Sequence, residues 1–260
     1  MDPGTLVGIG LALAAIFGSM IMEGGNPVVL FAPSPLLLVF VGTLGVGIAG
    51  GLLKEGLNMF KVLKSALLTK PLPPDKAIEQ VVFFAETARK EGLLALEEAA
   101  RNIEDDFIKK GIQMAVDGID PEEVQEILEG DISSMQERHK HGAKFFSDLG
   151  GYAPTLGILG TVIGLVHVLG HLSSPNSLGP MIASAFTATL WGVLSANVFW
   201  IPISNKLKRA SSIEVRNKEL ILDGILAIQA GGSPRMIEKK LLSYLPPSER
   251  EIIQQRKKAA

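Results

Sequence analysis

Charged side chains are missing from three long stretches of the chain, residues 3–22, 24–53 and 149–205. A helix crossing a bilayer needs about 20 mostly apolar residues. The first stretch therefore predicts one helix, Thr5 to Met22, and the second predicts another after Asn26-Pro27, from about Val28 to Leu53. The third is long enough for two helices, hinged at Ser173-Ser174-Pro175-Asn176-Ser177. Between these apolar blocks the pattern is that of amphipathic helices. Pro71-Leu-Pro-Pro-Asp75 breaks the chain and places Asp75 near a helix start, after which Ala77 to Asn102 carries apolar residues at helical spacing. Asp120-Pro121-Glu122-Glu123 is a helix start, with a capping Asp, Pro at the first helical position and acids near the positive end of the dipole. That helix, about Pro121 to Phe146, is expected to run on into the third span. The fourth span is expected to continue past Asn205 to Ala230, where Gly231-Gly232 stops it. The fold class is an all-α membrane protein, four transmembrane helices with a large helical cytoplasmic domain. The expected division is 1–53 (spans one and two), 54–146 (cytoplasmic helices), 147–205 (spans three and four) and 206–260 (C-terminal cytoplasmic helices).

The basic residues orient these spans. All 25 Lys and Arg lie between Lys54 and Lys144 or between Lys206 and Lys258. Basic residues flanking spans are retained on the cytoplasmic side, so both blocks are cytoplasmic and the basic-free connections lie outside. Both termini are then inside. The N-terminal apolar segment is read as a span and not as a signal peptide, because Met1 to Thr5 has no basic residue and a second span follows directly. The net charge of -2 averages unlike blocks and decides nothing. With no cysteine, disulfides, thiolate metal sites and a Cys nucleophile are excluded. Phosphate-loop, nucleophile-elbow and zinc-protease motifs are absent, so nothing in the chain recommends an enzyme or a bound cofactor.

The candidate chemistry is sparse. Intramembrane charge is the usual mark of an ion path, yet only Glu23 and Asp148 stand at span edges, and a partner must supply any carboxylate. His167, inside span three, fits either a proton relay or a neutral packing histidine. Gly157, Gly160 and Gly164 share one face of span three, where another backbone can approach closely. Thr155, Thr161, Thr187 and Thr189 either bond back to their own helices or lend oxygens to a passing hard cation. Pro154 and Pro202, at the inner ends of spans three and four, are either kinks or hinges. On a continuous helix Arg89 and Glu97 would be about 12 Å apart. With Lys90 they form either a docking surface or an ordinary solvated face, in which Glu86 pairs with Lys90 and Glu97 with Arg101.

The order of four spans and the long second-to-third connection carry a family resemblance, together with two segments. These are Ala88-Arg-Lys-Glu-Gly-Leu-Leu-Ala-Leu-Glu97 and Ala153-Pro-Thr-Leu-Gly-Ile-Leu-Gly-Thr-Val-Ile-Gly-Leu-Val-His167. The chain resembles the MotA/PomA stator subunits of the bacterial flagellar motor, relatives of ExbB and TolQ, from Thr5 to about Leu245. The resemblance implies a multi-pass protein of the bacterial inner membrane, in contact with lipid and not with nucleic acid. It implies a homopentamer around two helices of a MotB/PomB-like partner, which supplies the intramembrane Asp. It further implies that cation flow, sodium or proton, drives torque on the rotor switch protein FliG. By position, Arg89, Glu97 and, less directly, Lys90 match the rotor-facing charges, and Pro154 and Pro202 match the coupling prolines. Thr161 and Thr189 match hydroxyls near the partner's Asp, where Na+ would be held transiently and no metal permanently. Some sodium-using members carry Thr at the position of Thr161 and certain proton-driven members Ala, a slight lean towards sodium. The rival readings are an ExbB/TolQ-like energiser, which has three spans where this chain has four, and a purely structural membrane scaffold.

Overall fold

The computed structural model describes residues 3–51, 53–68, 73–101, 103, 105–248, 250–251 and 253. Met1, Pro71, Leu72, Asn102 and Lys258, named in the sequence reading, lie outside the described residues. The described residues form helices and turns, with no strand among them. They separate into two compact units, one of residues 1–70 and 138–209 and one of residues 71–137 and 210–260.

The first unit holds the apolar helices Pro3–Met22, Pro33–Gly50, the C-terminal part of Pro121–Leu169 and the N-terminal part of Pro175–Gln229. Each of the four is long and apolar enough to cross a membrane. The second span starts later than the sequence suggests. Pro27–Phe31 is a short 3-10 turn capped by Asn26, whose side chain accepts from the Val28 amide at 3.0 Å. Ala32 is extended because prolines follow at 33 and 35, so the helix proper opens at Pro33. It ends at Gly50, and a separate helix, Leu53–Leu68, follows. An aromatic cluster staples this unit. Trp191 is 6% exposed, meets Phe31 and Phe40 at ring distances of 5.5 and 5.8 Å, and donates its indole N–H to the Leu30 carbonyl at 2.6 Å. In hydrocarbon that carbonyl has no water to turn to, and the indole satisfies it.

The second unit is a soluble-type helical core. Ile78, Val81, Phe84 and Ala85 from Pro74–Glu91 meet Ile108 and Ile112 from Asp106–Val116, Leu128 from Pro121–Leu169, Leu220, Ile221 and Ile225 from the C-terminal half of Pro175–Gln229, and Leu241 from Pro234–Leu242. Periodic apolar faces dictate these partners. Asp105 caps Asp106–Val116 by accepting from the Phe107 amide at 2.8 Å, and Asp120 accepts from the Glu122 amide at 2.9 Å.

Three sequence expectations hold at element scale. The helix starting at Pro121 runs unbroken to Leu169, and the one starting at Pro175 runs to Gln229. It stops at Gly231, whose φ of +74° is the left-handed stop that glycine adopts without a Cβ penalty. Besides the bounds of span two, another expectation fails. The helix taken as continuous from Ala77 to Asn102 is broken: Pro74–Glu91 ends at Gly92, with φ of +87°, and Ala95–Ala100 is a separate short helix.

Candidate functional site: paired hydroxyls at a glycine-lined crossing

The third and fourth spans meet through small residues. A Cβ placed on Gly157 would lie 2.8 Å from the Ala188 carbonyl oxygen and 3.1 Å from the Cα of Gly192. On Gly192 it would lie 2.6 Å from the Ala153 carbonyl oxygen and 2.9 Å from the Gly157 Cα. Gly160 and Gly164 abut the methyls of Ala188 and Ala185, the added Cβ falling 2.6 and 2.5 Å from them. The backbones therefore approach at van der Waals range, the geometry that small residues on one helical face permit. The spacing of Gly157, Gly160 and Gly164 was legible in sequence. Their partner surface, Ala185, Ala188 and Gly192, was not.

Close approach brings four oxygens together. The Thr161 hydroxyl lies 3.2 Å from both the Gly157 and the Ala185 carbonyl oxygens. It is hydrogen-bonded to the Thr189 hydroxyl, which itself reaches the Gly157 carbonyl at 3.3 Å. Carbonyls only accept, so two hydroxyl hydrogens serve a cluster of four oxygens. Lone pairs are left in excess, and an excess of lone pairs among neutral oxygens is what a hard cation seeks. The hydroxyls touch, so a cation between them must first part them. Both threonines are half-buried.

Thr155 and Thr187 do not join this cluster. Thr155 is exposed and donates to the Tyr152 carbonyl at 2.7 Å, and Thr187 is buried and donates to Ala183 at 2.9 Å. Both therefore follow the back-bonding alternative of their own helices. Asp148, at the inner edge, is paired with Lys144 at 2.6 Å.

Both prolines sit inside helices. Pro154 follows Gly150 and Gly151 within Pro121–Leu169. Pro202 has no N–H for the carbonyl four residues back, and the helix answers by widening to i→i+5 bonding over Ser195–Trp200 immediately before it. Sequence reading found the proline and missed the wide turn, which has no residue signature of its own.

Arg89, Lys90 and Glu97 are all exposed in the second unit. The break at Gly92 falls between the first two and Glu97, so the helical separation of Arg89 and Glu97 does not apply. Glu97 meets Arg101 at 3.9 Å with both side chains largely in solvent, a contact of little energy. The other expected pair does not form: among the described residues neither Glu86 nor Lys90 has an ion-pair partner, and Arg89 has none either.

Elsewhere in the second unit, Tyr244 donates its hydroxyl to Asp223, and Lys240 lies 3.3 Å from the same carboxylate. The hydrogen bond to Asp223, then burial, then the negative charges of Asp223 and Glu219 push the Tyr244 phenol up to about 12.

Known proteins match this arrangement over most of its length. The pattern of the MotA/TolQ/ExbB proton channel family matches residues 99–220. Motility protein A of Bacillus subtilis (strain 168) is 39% identical over 96% of this chain and 93% of its own. Chemotaxis protein PomA of Vibrio alginolyticus is 35% identical over 97% of this chain and 98% of its own. The solved structure of the flagellar MotAB stator complex from Bacillus subtilis contains a chain that superposes with a TM-score of 0.89 at 38% identity, over 95% of this chain and 98% of that one. With four apolar spans, the glycine-lined crossing and near-complete coverage of these relatives, the chain belongs to the MotA/TolQ/ExbB proton channel family, in the branch that holds motility protein A and PomA.

Proposed function

We propose that this multi-pass inner-membrane chain is the ion-conducting stator subunit of a bacterial flagellar motor, assembled around a MotB-like partner and turning cation flow into torque. The single observation that carries the reading is the near-full-length likeness to the chain of a flagellar MotAB stator complex. The site supports it: spans three and four lack any Asp, Glu, Lys or Arg from 149 to 205 and present the Thr161–Thr189 oxygens instead. Such a lining lowers the cost of stripping water from a cation without trapping it.

In the proposed mechanism the partner's intramembrane carboxylate takes a cation, sodium or proton. Neutralised, it loses its attraction for the polar lining, and the ring of subunits, a pentamer, steps around the partner. Thr161 and Thr189 replace part of the cation's hydration as it passes. Thr155 and Thr187 bond back to carbonyls of their own helices and take no part in the cluster. Pro154 and the wide turn before Pro202 let spans three and four bend where they leave the membrane. Arg89, Lys90 and Glu97 engage opposite charges on the rotor protein FliG, and both termini face the cytoplasm. No bond is made or broken, and the chain is no enzyme.

The test is ion flux into vesicles that hold this chain with its partner. Flux that needs the partner's carboxylate supports the reading, and its dependence on external sodium at fixed pH names the ion. Equal flux with and without the carboxylate would overturn it.

A further inference from the structure

Two histidines stand at the end of the third span. His167 sits in the last turn of Pro121–Leu169, and His171 in the turn that follows. Their ring centroids are 4.4 Å apart with planes inclined by 51°, and both side chains are exposed. The His171 Nδ1 lies 2.9 Å from the His167 carbonyl oxygen. A carbonyl only accepts, so Nδ1 carries the hydrogen and the Nε2 lone pair of His171 points elsewhere, free. A histidine whose one ring nitrogen donates to a backbone carbonyl while the other offers a lone pair is the arrangement of metal-binding histidines, the carbonyl fixing tautomer and ring orientation.

The neighbouring ring supplies a second donor at workable distance. Two imidazole nitrogens on one tetrahedral zinc, each at about 2.0–2.1 Å, stand about 3.3 Å apart. Two rings sharing such an ion have their centres about 5 Å apart, so the rings, 4.4 Å apart at their centres, must open slightly to hold it between them. His167 also lines a cleft of about 470 Å³ with Ser34, Met181 and Ser184, which gives water room to complete the coordination shell. Among the described residues no cluster of three or more His, Cys, Asp or Glu stands ready for a metal. The site is therefore half-open and exchangeable, unlike a closed structural site.

We propose that His167 and His171 bind an imidazole-preferring divalent transition cation, zinc or copper, tying the last turn of the third span to the connection that follows it. Imidazole pairs rank copper and zinc above manganese or iron, while magnesium and calcium prefer oxygen.

Zinc titrated into the full chain purified with its partner in lipid nanodiscs, against a chromophoric chelator, tests this. The expected result is one zinc per chain, weakened at least about tenfold in His167→Gln and in His171→Gln. A double His139→Gln/His141→Gln variant, which replaces the remaining two histidines, should bind as before. Unchanged binding in the first two variants, or loss only in the last, would overturn the proposal. Electron paramagnetic resonance of copper on the unaltered chain needs no variant to fold. Coupling to two imidazole nitrogens is expected, and coupling to one or none contradicts the site.

Discussion

At the residue scale the proposed mechanism rests on the Thr161–Thr189 pair. Interhelical hydroxyl bonds in membranes are worth only about 0.6 kcal/mol, so Thr161→Val and Thr189→Val should leave the complex assembled. Ion flux should nevertheless fall by roughly tenfold in each, the equivalent of about 1.4 kcal/mol on the barrier. Flux at the level of the unaltered chain in the double Val variant would remove both hydroxyls from the path. The exposed charges behave differently. Contacts between exposed charges are worth about 0.2–1 kcal/mol each, so Arg89→Ala alone should slow swimming slightly. Arg89→Glu with Glu97→Lys turns attraction into repulsion and should stop it, with partial recovery at raised ionic strength. Tyr244 yields a prediction about pH. Its neutral phenol donates to Asp223 and its folded pKa stands at about 12 against the ordinary 10.0, so its stabilisation is whole below pH 10 and disappears as pH rises through 12. Tyr244→Phe should therefore destabilise the second unit modestly at neutral pH and flatten the change in thermal stability between pH 10 and 12. An unflattened profile would show that the hydrogen bond contributes nothing to folding.

At the element scale the sequence is most legible where period and punctuation agree. Asp120-Pro121 and Gly231 mark the ends of long helices because capping and left-handed glycine are local chemistry, readable without a partner. The stop at Gly92 is masked in the sequence because apolar periodicity resumes after it: Leu96 and Ala100 return to the core once the chain has turned. The late start of span two was hidden for a similar reason. Val28 to Phe31 are as apolar as any span, and only the extended Ala32 ahead of Pro33 separates them from the helix. The crossing itself rests on glycine. Gly157→Val would drive its branches into the Ala188 carbonyl and the Gly192 backbone, neither of which can yield as a flexible side chain does. Overpacking of this kind costs about 1–3 kcal/mol or more, and the predicted result is a clear loss of thermal stability of the purified complex together with separation of the two threonines. Gly151, which would meet nothing within 4 Å, should accept Ala with little change.

At the scale of the whole molecule, the division into charge-free and charge-rich blocks foretold four spans and a helical remainder. The compact units nevertheless divide at residues 70, 137 and 209, inside the charged blocks, because packing and membrane exposure follow different boundaries. What sequence withheld belongs to contact: the indole of Trp191 on Leu30 and the four-oxygen cluster across spans three and four join residues that no spacing rule connects. Torque is a property of the assembled motor and is best read in cells. The decisive measurement is swimming and flagellation of a strain that lacks this gene and holds no second stator, with and without the gene restored in trans. Flagellated but paralysed cells that swim again on restoration are the predicted result, whereas cells that swim normally without the gene would contradict the stator reading.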